Sequence, residues 1–406
     1  MWVEFGEIKK HLLILLIYPI GIISVRISIY YNNNNPYFFL FIFFISHLLA
    51  LIPLFIQKKI GKSSNKENNS EDDMAMEQDN KNSKIVLKDL DFKVKNEITE
   101  LSDELEAQNK RKKYLKLSFI AIIYFLTYTF FYYINFINPT TFYGNISMIT
   151  EVFYFSLFNR IILGNKIYSH HFFSMILITI SIIGVYILLI IKYIEDNPNW
   201  NPWYAIIFPT IFNFIAYLFF CFYLIKSKVY IEKYFISIYE LICYLGLFCL
   251  IILLILEPIS FFIPCNHPII CYEGHFAGII SGFKSISNIQ EIILSLLSII
   301  FLFMTCLGLW LTVKYLSPCH FLTSDSLITL ELNIMVDFYN PNFTLMTNPL
   351  FYIFSVITIF GCLIYNEIIV IKICNLNYNT RNEIIKRNII DFYNEDTDTD
   401  GRYSID

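Results

Sequence analysis

Charge is what this sequence has least of. Of its 406 residues only 16% are charged and 56% are hydrophobic, whereas a soluble domain carries about 25% charged residues. That shortfall excludes an ordinary water-exposed surface, and a mean hydropathy of +0.54 leaves many apolar side chains that have to face lipid. The charges are bunched into a few segments instead of being spread over amphipathic faces. The net charge of −4 sums one crowded loop and two polar tails. No basic nucleic-acid motif is present, so nucleic acid is not an expected partner.

Motifs that carry chemistry are missing too. The nine cysteines show no C-x-x-C or Cys/His spacing that would hold zinc, and no H-x-x-x-H, H-E-x-x-H, Walker-type or G-x-S-x-G pattern occurs. No metal and no cofactor are therefore expected. Seven cysteines fall in or next to apolar spans, where a thiol behaves as a small hydrophobe. Cys265 and Cys271 share one polar loop, and a disulfide between them would fit a lumenal or extracellular location. The N-terminal run MWVEFGEIKKHLLILLIYPIGIISVRISIYY lacks a small-residue cleavage site, which predicts a retained first helix and not a removed signal peptide.

What the sequence does have is a series of apolar runs long enough for a helix to cross a hydrocarbon core of roughly 30 Å. They cover residues 11–30, 37–56, 115–136, 142–163, 170–191, 203–225, 234–257, 287–313, 321–338 and 348–372. The ninth contains Asp325 and Glu331 and is admitted because the charge pattern breaks without it. Positive charge stays on the cytoplasmic side of short loops. One side receives Lys9 and Lys10, Lys58, Lys59 and Lys62, the cluster 111–113, Lys166, Lys226, Lys228 and Lys233, Lys314 and the tail basics. The other side has only Lys192 and Lys284. An even number of spans with both termini in the cytoplasm satisfies every loop.

The resulting map is an all-α integral membrane protein of ten transmembrane helices. Helices 1–2 lie in residues 1–56, a cytoplasmic loop in 57–113, helices 3–5 in 114–193, helices 6–10 in 202–373 and a cytoplasmic tail in 374–406. The long loop opens with low-complexity KSSNKENNSEDDMAMEQDNKNSK, which cannot bury enough apolar area to fold. Further on, Leu87, Leu90, Val94, Ile98, Leu101 and Leu105 share one helix face, the pattern of an amphipathic helix lying on the membrane or of a solvated one.

The chain also repeats itself. ILITISIIGVYILLI at 176–190 and IFSVITIFGCLIYNEI at 353–368 each hold one glycine, Gly184 and Gly361, 177 positions apart. Glu151 in span four and Glu331 in span nine correspond if about three residues are gapped. Two halves of five spans each enter the membrane from opposite faces, giving two inverted five-helix repeats, the arrangement many carriers use for alternating access.

EVFYFSLFNRIILGNKIYSHHFFSMILITISIIGVYILLI resembles the end of the first half in the drug/metabolite transporter superfamily, in its EamA-type, nucleotide-sugar-transporter-like solute carrier family 35 branch. The shared features are a helix, a short basic turn, here LGNK at 163–166, and a helix with a glycine near its end. FGCLIYNEIIVIK at 360–372, with its glycine and Tyr-Asn pair, is similar to the last helix of these carriers. Asn165 stands where the family carries an acidic residue, and the late helices lack the lysine-rich motif typical of nucleotide-sugar carriers. The resemblance implies a secondary transporter of a small polar metabolite, such as a nucleotide sugar or related solute, with a cavity lined mainly by spans one, three, four, six, eight and nine.

A charge near the bilayer centre costs about 2.5–3.5 kcal/mol on insertion scales and needs a wet cavity or a partner. Glu151 and Glu331, both close to the midplane, are therefore the first candidates for transport, expected to face one central cavity. Arg26 in the outer third of span one is a candidate partner or anion hook, and Asn213 in span six and His47 in span two are further candidates. The expected partners are a small-molecule substrate and membrane lipid, with a homodimer compatible; the expected location is an endomembrane such as the Golgi, or the plasma membrane. Rival classes are a multi-pass enzyme acting on lipids and a receptor or scaffold. For the enzyme, His170-His171 is the one concentrated candidate, with no acidic residue nearby in sequence.

Overall fold

A computed structural model describes residues 3–5, 18, 36–57, 59, 110–131, 142–196, 208–260, 262–264, 271–272, 275–276, 278–286, 288–327, 349–373, 376–380 and 383–387. The chain is mostly helical. Strand β1 (Val3–Phe5) comes first. Helix α1 (Pro36–Ser46) passes through a 3-10 turn, His47–Ala50, and the apolar span continues to Gln57. Then come α2 (Lys110–Phe131), α3 (Phe142–Leu163), α4 (Ser169–Asp196), α5 (Phe208–Tyr234) and α6 (Ile238–Ser260). A two-residue hairpin, β2 (Cys271–Tyr272) and β3 (His275–Phe276), leads to the short α7 (Ile279–Ser285). Last are α8 (Ile289–Tyr315), a 3-10 turn Pro318–His320 running into α9 (321–327), α10 (Pro349–Tyr365) and strand β4 (Ile369–Ile371).

Among the described residues, five helices are long and apolar enough to cross a membrane: Tyr37–Gln57, Lys110–Phe131, Ile211–Tyr234, Ile238–Ile259 and Ile289–Tyr315. Shorter apolar helices cover Ser169–Val185 and Tyr352–Tyr365. The surface pattern is that of a lipid-facing bundle. On α8, Ile289, Ile292, Ile293, Leu296 and Ile300 are exposed, and Ser295, Ser298, Thr305 and Thr312 are buried. Water would favour the reverse. Three of these hydroxyls are satisfied within the helix: Ser298 donates to the Leu294 carbonyl at 2.8 Å, Thr305 to Phe301 at 2.9 Å and Thr312 to Gly308 at 2.9 Å. This back-bonding lets polar residues sit in a medium that supplies no partners.

Helix pairing follows where small residues allow backbones to meet. α4 and α10 pack along each other, and the two repeat glycines lie at their crossing. A Cβ on Gly184 would stand 2.6 Å from the Phe354 ring, and one on Gly361 would stand 2.5 Å from Ile178 Cγ1 and 3.5 Å from Leu177 Cδ2. Phe354 follows Leu177 by the same offset that separates the two glycines. Gly184 thus meets Phe354 and Gly361 meets Ile178, so the contact order reverses from one helix to the other and the helices run antiparallel. Gly184→Val is expected to lower stability by about 1–3 kcal/mol through overpacking. Adding Phe354→Ala should recover part of that loss in the thermal unfolding midpoint, and independent, additive losses would contradict the crossing described.

Other contacts link α1 with α6, α1 with α8, α3 with α4 and α3 with α5. α2 meets α6 where the Cys249 thiol approaches the Ala121 carbonyl at 3.6 Å, and meets α8 where Tyr124 packs on Trp310. Tyr18, from the first apolar run, packs edge-on against Phe321 of α9 with centroids 4.7 Å apart. β1 pairs antiparallel with β4, Val3 against Ile371 and Phe5 against Ile369, so these two segments share one end of the bundle.

Several expectations lie outside the described residues. They are the first span apart from Tyr18, the loop from 60 to 109 with its amphipathic pattern, and the second part of the ninth span. Arg26, Glu331 and Cys265 lie outside as well. Cys271, the expected partner of Cys265, opens β2.

Candidate functional site

Glu151 is halfway along α3 and completely buried. Neither of its carboxylate oxygens has a hydrogen-bond partner among the described residues. The charge that bears on it is another acid. The Asp325 carboxyl, at the start of α9, interacts with it side chain to side chain, without either Glu151 oxygen reaching hydrogen-bond geometry. Two carboxyls brought together in an apolar interior are costly unless a counter-charge joins them.

The surroundings explain how α9 reaches α3. Pro318 starts the 3-10 turn that ends α8's run and redirects the chain, and residues 323–326, Thr-Ser-Asp-Ser, follow at once. Thr323, Ser324 and Ser326 are buried, with Ser326 Oγ donating to the Thr323 carbonyl at 2.8 Å. Asn366 Nδ2 donates to Thr323 Oγ1 at 3.0 Å and to the Cys362 carbonyl at 3.1 Å. Tyr365 shares a 2.8 Å hydrogen bond with Ser156 of α3. The Tyr-Asn pair at the end of α10 therefore ties α3 and α9 to one helix and fixes the acids' separation. Tyr18, Cys221 and Cys362 lie near enough to feel both carboxyls, and the Cys221 thiol points at the Glu151 carbonyl at 3.9 Å.

Among the residues singled out from the sequence, Glu151 is in this site. Glu331, its expected companion, lies outside the described residues, as does Arg26; Asp325 is the acid that meets Glu151. Asn213 is buried, and its Nδ2 has no partner among the described residues, but it lies roughly two helical turns along α5 from Cys221, about 12 Å away. His47 sits in a separate cluster. Its Nδ1 is 2.8 Å from the Phe43 carbonyl and its Nε2 is 2.7 Å from the Tyr124 hydroxyl and 3.2 Å from the Cys306 thiol. A Cβ on Gly246 would collide with the His47 Cβ, so α6 crosses α1 at this ring. His47 is a satisfied, packed histidine that braces helices. Tyr124 and Tyr128 of α2 belong to the same packing: Tyr124 is fully buried between His47, Tyr223 and Trp310, and Tyr128 packs on Tyr124 and Phe43.

His170 and His171, isolated in sequence, acquire an acid in the fold. Glu367, just past the end of α10, brings Oε1 to 3.2 Å from His170 Nε2. Glu240, at the start of α6, pairs with Lys113 at 2.7 Å, as a charge at a span end is expected to.

The sequence finds no match among protein-family models or curated proteins.

Proposed function

We propose that this chain is a secondary transporter that moves a small polar solute by alternating access, with the Glu151–Asp325 pair as the site where solute or coupling ion binds. The observation that carries the proposal is a fully buried glutamate whose two oxygens have no donor among the described residues and whose electrostatic neighbour is a second acid. A charge kept for structure would be paired. One kept for work is left waiting for a ligand.

The inverted five-plus-five repeat is supported by contacts that come in equivalent pairs. Spans two and seven meet as α1 and α6, three and eight as α2 and α8, four and nine as α3 and α9, five and ten as α4 and α10. The contact of span four with six, α3 with α5, has its counterpart in span nine with one, Phe321 with Tyr18. Two copies related by a twofold axis in the membrane plane would produce this pairing, with the acid pair near that axis. Both termini are assigned to the cytoplasmic side: the β1–β4 ladder holds the segments they adjoin at one end, and short-loop lysines favour the cytoplasm. These features are those of the drug/metabolite transporter superfamily that the repeat motifs resemble.

The acid pair also narrows the solute. It attracts a proton, a metal cation or a cationic group of the solute and repels an isolated phosphate. An organic cation, or a neutral solute carried with protons, fits it better than a nucleotide sugar does. Purified protein in liposomes, given organic cations, amino acids, sugar phosphates and nucleotide sugars with and without a pH gradient, should accumulate a cationic or proton-coupled solute. Uptake no greater than in protein-free liposomes for every class would remove the proposal.

A further inference from the structure

Among the described residues, three side chains able to ligate a metal come together outside the acid pair, at the end of the bundle where α4 begins and α10 ends. One ring nitrogen each of His170 and His171 and one carboxylate oxygen of Glu367 lie within 4.8 Å of one another. The geometry points to a binding site for a zinc-class divalent cation, held by His170, His171 and Glu367, that clips α4 to the segment following α10.

Four observations converge on it. His170 is 3% exposed, and neither of its ring nitrogens has a hydrogen-bond partner among the described residues, although Nε2 faces Glu367 Oε1 at 3.2 Å. A buried imidazole in that condition wants a ligand on its lone pair. Glu367 closes α10 in a left-handed C-cap, with φ of 56°, its N–H donating to the Ile364 carbonyl at 3.0 Å and that of Ile368 to the Leu363 carbonyl at 2.9 Å, which fixes the direction in which the glutamate leaves the helix. The rings of His170 and His171 stand 4.0 Å apart between Tyr168 and Tyr365, so stacking limits their rotation. Finally, Glu367 and Tyr168 also line an open depression with Asn379, Ile384 and Ile385, which gives an ion a way in and a water a fourth coordination position.

The donor set selects the ion. Two imidazoles and one carboxylate with an open position suit zinc and its transition-metal neighbours, whereas magnesium and calcium take oxygen ligands. His171 is the adaptable member. Its Nδ1 accepts the Tyr168 backbone N–H at 3.1 Å, which puts the ring proton of the neutral form on Nε2. Binding the cation through Nδ1 displaces that hydrogen bond directly, and binding through Nε2 moves the ring proton to Nδ1 and displaces it as well. His170 and Glu367 are the preset pair.

The test uses the full-length protein in detergent, stripped with chelator and titrated with Zn²⁺, and separately with Co²⁺ to record visible d–d bands. One equivalent per chain with a tetrahedral Co²⁺ spectrum is expected. His170→Gln and Glu367→Gln should each weaken binding by about 100-fold or more, since even outer-shell partners account for about 10- to 100-fold. His170→Cys serves as the variant that keeps a ligand. It should bind Cd²⁺ in preference to Zn²⁺, because thiolate is the softer donor. The inference is overturned if the wild-type chain takes up less than a tenth of an equivalent, or if the Gln variants bind as it does. It is equally overturned if His170→Cys folds without changing metal preference.

Discussion

Exchanging Glu151 for glutamine is expected to cut transport by about 100-fold, the factor corresponding to the roughly 2.5–3.5 kcal/mol that a midplane charge is worth, while folded protein stays at wild-type abundance. Glutamine keeps the length and volume of the side chain and removes only its ability to carry and neutralise a charge. Because neither oxygen of Glu151 has a hydrogen-bond partner among the described residues, the substitution removes no identified hydrogen bond. A structural carboxylate would behave oppositely: its loss would reduce abundance and leave the activity per folded molecule intact. Asp325→Asn should give the same phenotype, and the double variant should be hardly worse than either single one, since groups that bind one ligand together fail together. Reconstituted uptake normalised to folded protein measures all three. Single variants within about twofold of wild type, a difference of roughly 0.4 kcal/mol, would leave the acid pair with no part in transport.

The half of this site that sequence could supply was Glu151, because an acid in the middle of an otherwise apolar 22-residue helix stands out on hydropathy alone. Its partner did not stand out. Asp325 and Glu331 lie three positions on either side of the 177-residue repeat offset from Glu151, and depth in the span favoured Glu331. The phase that brings Asp325 to Glu151 is set by the 3-10 turn at Pro318, and no periodicity in FLTSDSLITLEL records it; Glu331 lies outside the described residues. The same limit applies to Glu367. Its partners lie almost 200 positions earlier, and only the antiparallel packing of α4 on α10 brings them within reach. Gly184 and Gly361 stood out in the sequence only as a recurring glycine, and what the fold adds is the reason for them: the absence of a side chain admits Phe354 at Gly184 and Ile178 at Gly361. His47 was visible as a polar residue in an apolar run, but its role was not, since the groups that satisfy it include a tyrosine 77 positions away.

Glu257 is the position where a single substitution should destabilise the fold most. It ends the apolar part of α6 and is buried, and its carboxylate accepts two successive backbone N–H groups at the start of α7, Ile279 at 2.9 Å and Ile280 at 3.1 Å. The helix cannot cap itself. Its N-cap, Gly278, has no side chain to offer, and a Cβ there would stand 2.5 Å from Glu257 Oε1. The backbone at Gly278 is extended, with φ of −102° and ψ of −167°, so glycine is needed for space and not for conformation. On the other side, Phe38 of α1 fills the gap left by Gly282, and Phe283 packs on Phe38 with centroids 5.0 Å apart. α7 is thus wedged between α6 and α1, and Glu257 supplies the polar half of the wedge. Glu257→Leu leaves the Ile279 amide buried without an acceptor and loses a charge-assisted bond at Ile280, a cost of about 2–4 kcal/mol. Glu257→Gln should retain about half of the stabilisation, since one amide oxygen replaces two carboxylate oxygens. Gly278→Ala should cost about 1–3 kcal/mol by displacing the carboxylate, but much less in the Glu257→Ala background, where the contested space is empty. Six buried free thiols, Cys221, Cys243, Cys249, Cys306, Cys319 and Cys362, provide the readout, because a thiol-reactive dye reports their exposure as the bundle opens on heating. Midpoints that fall equally for Gly278→Ala in both backgrounds would show that the glycine and the carboxylate do not share that space.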